Sequence, residues 1–309
     1  MSTKQINTKL INTKPINNKT ATPFHDAETA VQARFGLAEA LAERYQDFIR
    51  PYMPNQHREF YASLPMMIVG LTDSDGNVWA SPLFGKEGFV QTPSETELSI
   101  HAPIPLATVV DLNMQAKSKI ALLGIELGTR RRNRVNGVIQ SHDLDESRVK
   151  QTAQAGFEKS DSITENMKAT LEKADTFFIA SRTKTFSQDP RSGIDASHRG
   201  GTSGFVKVNG NTLLFPDFSG NKFFNTIGNI QDDGRVGLCF PNFENSDAIF
   251  ISGKARVLWD EQLLSQYEGA ERFIEVDCEQ IINAKGFMPA NGQLTQASPS
   301  FSGKERWQV

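Results

Sequence analysis

Two stretches decide the fold: Trp79–Val90, WASPLFGKEGFV, and Asp195–Val206, DASHRGGTSGFV, which share Ala, Ser, Gly, Gly, Phe and Val at matching places 116 positions apart. Glycine-rich loops mimic one another, but here the apolar segments keep the same offset. Ile120–Leu123 lies over Val236–Cys239, and Val135-Asn136-Gly137 over Ile251-Ser252-Gly253. Upstream, Met67–Val69 matches Phe178–Ala180 at 111, which puts a five-residue insertion in the second copy's first hairpin. The same unit therefore occurs twice. Each copy reads as two strands, a glycine-rich link, a third strand, a short helix (107–117 and 222–229) and two more strands. Short strands at close intervals with turn signals predict small barrels instead of a parallel sheet.

The flanks complete the organisation. Residues 1–24 repeat Ile-Asn-Thr-Lys with small changes and read as a disordered tail. Apolar residues recur at helical spacing from Ala30 to Ile49, with Asp26 as N-cap and Pro51 as stop, so 25–59 reads as a helical extension. The first barrel, with degenerate ligand groups, spans 60–141, a helical linker 142–175, the second barrel 176–283 and a tail 284–309. The fold class is thus mainly β (α+β), two tandem barrels packed as an intrachain pseudo-dimer with flanking helices.

Composition narrows the function. A net charge of -3 argues against gripping nucleic acid over the whole surface. Two cysteines, Cys239 and Cys278, make neither a zinc pattern nor a disulfide framework, and the scattered histidines have no metal-ligand spacing, so no metal is expected. Both cysteines read as core. Without an apolar run of spanning length or an export signal, the expected address is the cytoplasm, with no membrane partner.

Where the copies differ, chemistry enters. Ser197-His198-Arg199-Gly200 in the second copy faces Pro82, Leu83 and Phe84 in the first, and Ser219, Asn221 and Lys222 face Pro103, Pro105 and Leu106. Only the second copy carries donors suited to an anion, at the expected start of a helix. Arg182, after that copy's first strand, could add a charge. Conversely, the first copy has Arg130-Arg131-Arg132-Asn133-Arg134 where the second has Ser246–Phe250. On a strand, Arg130, Arg132 and Arg134 share a face. Such crowding fits an anion contact, a charge-protected edge strand or a nucleic-acid surface. If the barrels pack about a pseudo-twofold axis, one composite site joins the donor loop to the arginine strand.

DASHRGGTSGFV, LLFPDFSGNKFFNTIGNI (213–230) and VGLCFPNFENSDAIFISGKARV (236–257) together resemble the pyridoxamine 5'-phosphate oxidase-like FMN-binding split-barrel family, in its branch with a helical extension and tandem arrangement. The likeness covers about 60–282. It implies split barrels and an FMN whose phosphate is held by Ser181 and Arg182 on the first strand and by Asn221 and Lys222 after the third. The family's Arg-Lys pair has become Asn-Lys here, which implies a phosphate affinity that is either reduced or shared with Arg199. RRRNRVNG is similar to a motif of this branch. The expectation is a flavin-dependent oxidoreductase acting on a small molecule, with NAD(P)H, a redox protein or the substrate itself as electron donor, and with His198 as tentative catalytic group. Non-catalytic binding of flavin or haem on the same scaffold, and a protein or RNA interaction module using 130–134, are the alternatives. A homodimer is compatible with all three.

Overall fold

A computed structural model describes residues 6–9, 22–142 and 156–289. The tail 1–24, the linker 142–175 and the tail 284–309, including Trp307, fall partly outside the described residues. In chain order the elements are β1 (Ile6–Lys9), helices α1 (Asp26–Arg34), α2 (Ala38–Arg44) and α3 (Asn55–Ser63), then β2 (Met66–Thr72), β3 (Val78–Phe84), β4 (Val90–Ser94), β5 (Glu97–Ile100), β6 (Lys119–Glu126) and β7 (Arg131–His142). There follow β8 (Gly156–Ser160), α4 (Glu165–Lys173), β9 (Thr176–Arg182), β10 (Ile194–Gly200), β11 (Lys207–Asn209), β12 (Thr212–Phe218), α5 (Asn225–Asp232), β13 (Arg235–Asn242), β14 (Asp247–Leu258), α6 (Glu261–Leu264) and β15 (Ala270–Lys285).

The two sheets have the same strand order, β3-β2-β6-β7-β1-β5-β4 and β10-β9-β13-β14-β15-β12-β11, with β8 added against β15. β1 fills in the first sheet the slot that β15 fills in the second: each lies antiparallel between the counterpart strands, β5 and β7 or β12 and β14. Residues 6–9, expected in a disordered tail, are thus a sheet strand, because a slot between two strands satisfies backbone groups whatever the side chains offer.

Contacts between the sheets are reciprocal. β3 packs on β9, β13 and β14, while its counterpart β10 packs on β2, β6 and β7, as a twofold-like interface requires. The fit is close at Gly237, where a methyl group would stand 2.4 Å from the Val78 carbonyl oxygen and 2.6 Å from the Trp79 Cα. The hairpin DSDGN clips the junction. Asp73 accepts from the amides of Asp75 and Asn77 and from the buried Trp79 Nε1 at 3.0 Å. Beyond it, the Gly76 carbonyl accepts from Arg182 Nη1 at 3.1 Å and Arg235 Nη1 at 3.3 Å.

Other expectations need correction. The helix of 26–50 is interrupted at Phe35–Leu37, where Phe35 stacks on Phe224 at 5.1 Å and Gly36 turns left-handed, and the capping box is made by His25 and Glu28 instead of Asp26. The short helix of the first copy is only a 3-10 turn, Pro105–Thr108, and that of the second begins at Asn225, three residues late. The linker contributes a strand, β8, to the second sheet. From the tail, Phe287 and Met288 are buried in the inter-sheet core.

Candidate functional site

The strand-to-helix passages on one side of the interface enclose a cleft of about 1890 Å³, lined by both sheets and by the 23–54 segment. Of the residues singled out by sequence, Arg130, Arg132, Arg134, Ser197, His198, Arg199, Gly200, Ser219, Asn221 and Lys222 line it. Ser181 and Arg182 do not. Ser181 is fully buried and accepts from Asn229 Nδ2 at 3.1 Å, and Arg182 is spent on Gly76, Thr183, Lys184 and Asp233 at the junction. A phosphate role for either is corrected on that ground: their polar groups are already committed to other parts of the interior.

At the centre of the cleft, guanidinium groups from the two sheets meet on one hydroxyl. Arg134 Nη2 of β7 and Arg199 Nη1 of β10 each donate to Ser197 Oγ at 2.9 Å. Arg134 also lies 3.5 Å from Asp195 and donates to Asn225 Oδ1 at 2.9 Å. Behind Arg199, Asp217 stands 3.2 Å from both Arg199 Nε and Arg272 Nε, although neither pair is aligned as a hydrogen bond. Glu271 pairs with Arg272 and, at 2.5 Å, with Lys222. Three cations thus face two carboxylates, and the buried Arg272 Nη1 has no hydrogen-bond partner. A buried group of this kind calls for an anion. Arg272 itself sits within 5.3 Å of the rings of Phe35, Phe224 and Trp259, a desolvated cation–π setting.

Sequence reading missed Asp217 and Arg272, which are direct partners across β12 and β15. It also missed Glu28, whose carboxylate accepts from the Asn225 amide at 2.5 Å and the His25 backbone N–H at 2.8 Å. The helix-start cradle is different from the one expected. Asn221 Oδ1 closes a turn on the Phe223 amide, Lys222 and Phe224 both take left-handed backbone, and the side chain at the helix start is Asn225. Lys222 therefore reaches the site as the partner of Glu271 and not as a free cation.

Burial, and after it Arg132 and Arg199, lowers the His198 pKa to about 4, while Nε2 shares a 2.7 Å hydrogen bond with Thr176 Oγ1. At neutral pH His198, the tentative catalytic group, is therefore an uncharged imidazole engaged with Thr176.

Glu28 titrates in the opposite sense: burial raises it from 4.5 to about 7, against the pull of Asn225 and His25. Between these pH values the folded chain holds a proton that the unfolded chain releases. This group's contribution to stability therefore declines as pH rises through the window and levels off above it, by at most about 3 kcal/mol. Glu28→Gln should remove that decline. Urea unfolding at pH 5 and pH 8 will show it as a smaller pH dependence in the variant, and equal slopes for both proteins would refute it.

On the opposite side of the interface, the pseudo-equivalent place is filled. Phe250, the counterpart of Arg134, and Phe84, the counterpart of Gly200, both pack edge-on against Phe287, at 4.9 and 6.3 Å.

Fold and site together define a mainly β protein of paired split β-barrels with one cationic cleft between them. Residues 163–294, which include the second sheet from β9 to β15, match the family model described as pyridoxamine 5'-phosphate oxidase. Among curated proteins none matches the chain. Similar solved structures include HupZ of Group A Streptococcus, 15% identical over 42% of this chain and 99% of that one, with a TM-score of 0.31. The FAD binding protein of Mycobacterium smegmatis is 15% identical over 40% and 96%, TM-score 0.26. HutZ of Vibrio cholerae, described as a heme storage protein, is 12% identical over 41% and 96%, TM-score 0.28.

Among the described residues no helix is long and apolar enough to cross a membrane, and no group of three or more His, Cys, Asp or Glu could hold a metal ion. Cys239 and Cys278 are free and buried, and burial pushes both thiols up.

Proposed function

We propose that the cleft holds one FMN per chain, with its phosphate at the Arg134–Ser197–Arg199 junction, and that the protein is a cytoplasmic flavin-dependent oxidoreductase for a small molecule. The observation that carries this reading is the meeting of Arg134 and Arg199, from different sheets, on one oxygen. A forked cation from each side matches the geometry of a phosphate, and the unpartnered Arg272 Nη1 adds a reason for an anion to be there. FMN, when bound, supplies the hydride and electron transfer. The chain's own residues bind and orient: Arg134 and Arg199 fix the anionic end, the Asp217–Arg272 pair stiffens Arg199, and the aromatic residues of 24–48 exclude water along one wall. His198, uncharged, offers a hydrogen-bonding ring edge tied to Thr176.

The basic-strand alternative loses ground. Arg134 turns into the cleft and Arg131 lies 4.3 Å over the Phe60 ring while donating to the Gln56 carbonyl, which takes two of the four arginines out of a shared outer surface. Electrons would come from NAD(P)H, a redox protein or the substrate.

Titration of the purified protein with FMN, followed by quenching of flavin fluorescence, should reach a plateau at one flavin per chain, because Phe287 fills the pseudo-equivalent place. A plateau at two, or none, overturns the stoichiometry or the whole reading respectively.

A further inference from the structure

Glu28 enters the cleft from outside the segment that matches the family model: it sits on α1, while the match begins at residue 163. It lines the cleft and is only 5% exposed. The contact of α1 with α5 is close, since a methyl group at Gly228 would stand 2.5 Å from the Glu28 Cγ and 2.8 Å from its Cα. From this carboxyl, hydrogen bonds run unbroken to the anion junction. Glu28 Oε1 accepts from Asn225 Nδ2 at 2.5 Å, Asn225 Oδ1 accepts from Arg134 Nη1 at 2.9 Å, and Arg134 Nη2 donates to Ser197 Oγ at 2.9 Å. One amide therefore separates Glu28 from the guanidinium that a phosphate would use.

Arg134 already has Asp195 at 3.5 Å. A phosphate at the junction would add negative charge beside two buried carboxyl groups that share one arginine, where water screens little. Of the two, Glu28 is the one that gives way. Burial raises it to about 7 and Asp195 adds to the rise, while Asn225, the His25 N–H and Arg134 oppose it. The other charged groups around it do not titrate in its place. Burial holds His25 below its ordinary value, with Asp232 of α5 acting against that fall, so the ring is uncharged near neutrality. Arg191, on the β9–β10 loop, is pushed up by Asp189 and stays cationic. Asp26 stands fully in solvent.

We infer that Glu28 couples the phosphate junction to pH: as the anion binds, the cleft takes up a proton from water at the Glu28 carboxyl, and binding weakens as the solution turns alkaline. This rests on the flavin reading for the identity of the anion. The sign follows from linkage. An anion nearby favours the neutral carboxyl, so its proton is held more tightly in the complex than in the free protein. Affinity is greatest at a pH where both forms are protonated, falls as pH climbs between the free and the bound value, and levels off above both. A proton held about tenfold more tightly means an anion affinity that falls about tenfold across that window.

Calorimetry of FMN binding to the full chain, in buffers of different ionisation enthalpy, counts the protons directly. At about pH 7.5 the wild type should take up about half a proton per flavin and Glu28→Gln close to none. Asp26→Asn, which removes an exposed acid from the same helix, should match the wild type. Between about pH 6 and pH 9 the ratio of wild-type to Glu28→Gln affinity should fall about tenfold. Taking the ratio removes the flavin's own ionisations, the phosphate's near about pH 6 included. No uptake by the wild type, equal uptake in Glu28→Gln, a constant affinity ratio, or loss of uptake in Asp26→Asn overturns the inference. Each variant is first shown to unfold cooperatively, and if Glu28→Gln does not, the wild type's proton count decides alone. If the wild type binds no FMN, the flavin reading fails by itself. The same count is then made with sulfate, whose charge is constant over this range. Sulfate taken up together with a proton upholds the coupling, and sulfate bound without one, or not bound, overturns it.

Discussion

Gly237→Ala will lower the stability of the protein by about 3 kcal/mol or more, enough to bring its thermal midpoint down by roughly 6–12 °C. The added methyl would stand 2.4 Å from the Val78 carbonyl oxygen and 2.6 Å from both the Val78 carbonyl carbon and the Trp79 Cα. All three are backbone atoms of β3, so no side-chain rotation relieves the overlap and β3 and β13 must separate. Trp79 cannot follow freely, since its ring is buried and its Nε1 is bonded to Asp73. The separation would be felt in the cleft, because the same interface aligns Arg134 with Arg199. Gly128→Ala is the matched control: a methyl there meets nothing within 4 Å, and its effect should stay within about 0.5 kcal/mol. Calorimetric scans of the two variants beside wild type decide the matter. A Gly237→Ala protein that melts with the wild type would mean that the sheets are not packed as described.

The repeat at an offset of 116 was legible because barrel strands keep their apolar phase: Ala80 and Ala196 occupy equivalent places, and both are fully buried. The composite cleft was legible from what each copy lacks. Ser197, His198, Arg199, Arg130, Arg132 and Arg134 do line one space. Other features were present in the pattern and overlooked. Arg272 falls in phase with Ile274, Val276 and Cys278 on β15, and Asp217 in phase with Leu213 and Phe215 on β12, so each is a charge where the alternation asks for an apolar residue. A charge in the inward phase signals a buried pair or a ligand site.

Some features had no local signal at all. Glu28 reaches Asn225 across 197 positions, and neither residue's neighbours in sequence suggest the meeting. β1 is polar enough to read as disorder, and only the slot between β5 and β7 makes it a strand. Ser181 and Arg182 carried the expected chemistry in the expected strand, yet tertiary partners claimed them first. Residue type and spacing therefore nominated polar groups that line the cleft, but not the tertiary partners those groups take.

Arg199→Ala will weaken FMN binding about 10- to 100-fold, the loss that follows from removing a charge-assisted hydrogen bond of about 1.5–3 kcal/mol. Arg199 holds Ser197 Oγ at 2.9 Å and faces Asp217 at 3.2 Å, so the substitution removes the donor and leaves a carboxylate less well answered beside the anion's place. Fold loss is a lesser concern, because Arg272 still neutralises Asp217 from the other side. Arg134→Ala should cost a similar factor although it belongs to the other sheet, and that equality is what a site shared between barrels demands. Since both guanidinium groups converge on one hydroxyl, the double variant should lose less than the product of the single losses, the mark of residues in one network. Arg199→Lys separates charge from shape: the ammonium keeps the charge but not the forked donor, so affinity should fall between wild type and alanine. Fluorescence titration of the four proteins with FMN, each first shown to unfold cooperatively, measures all of this. If Arg199→Ala binds FMN as tightly as wild type while Arg134→Ala does not, the phosphate is gripped from the first barrel alone and the shared junction is wrong.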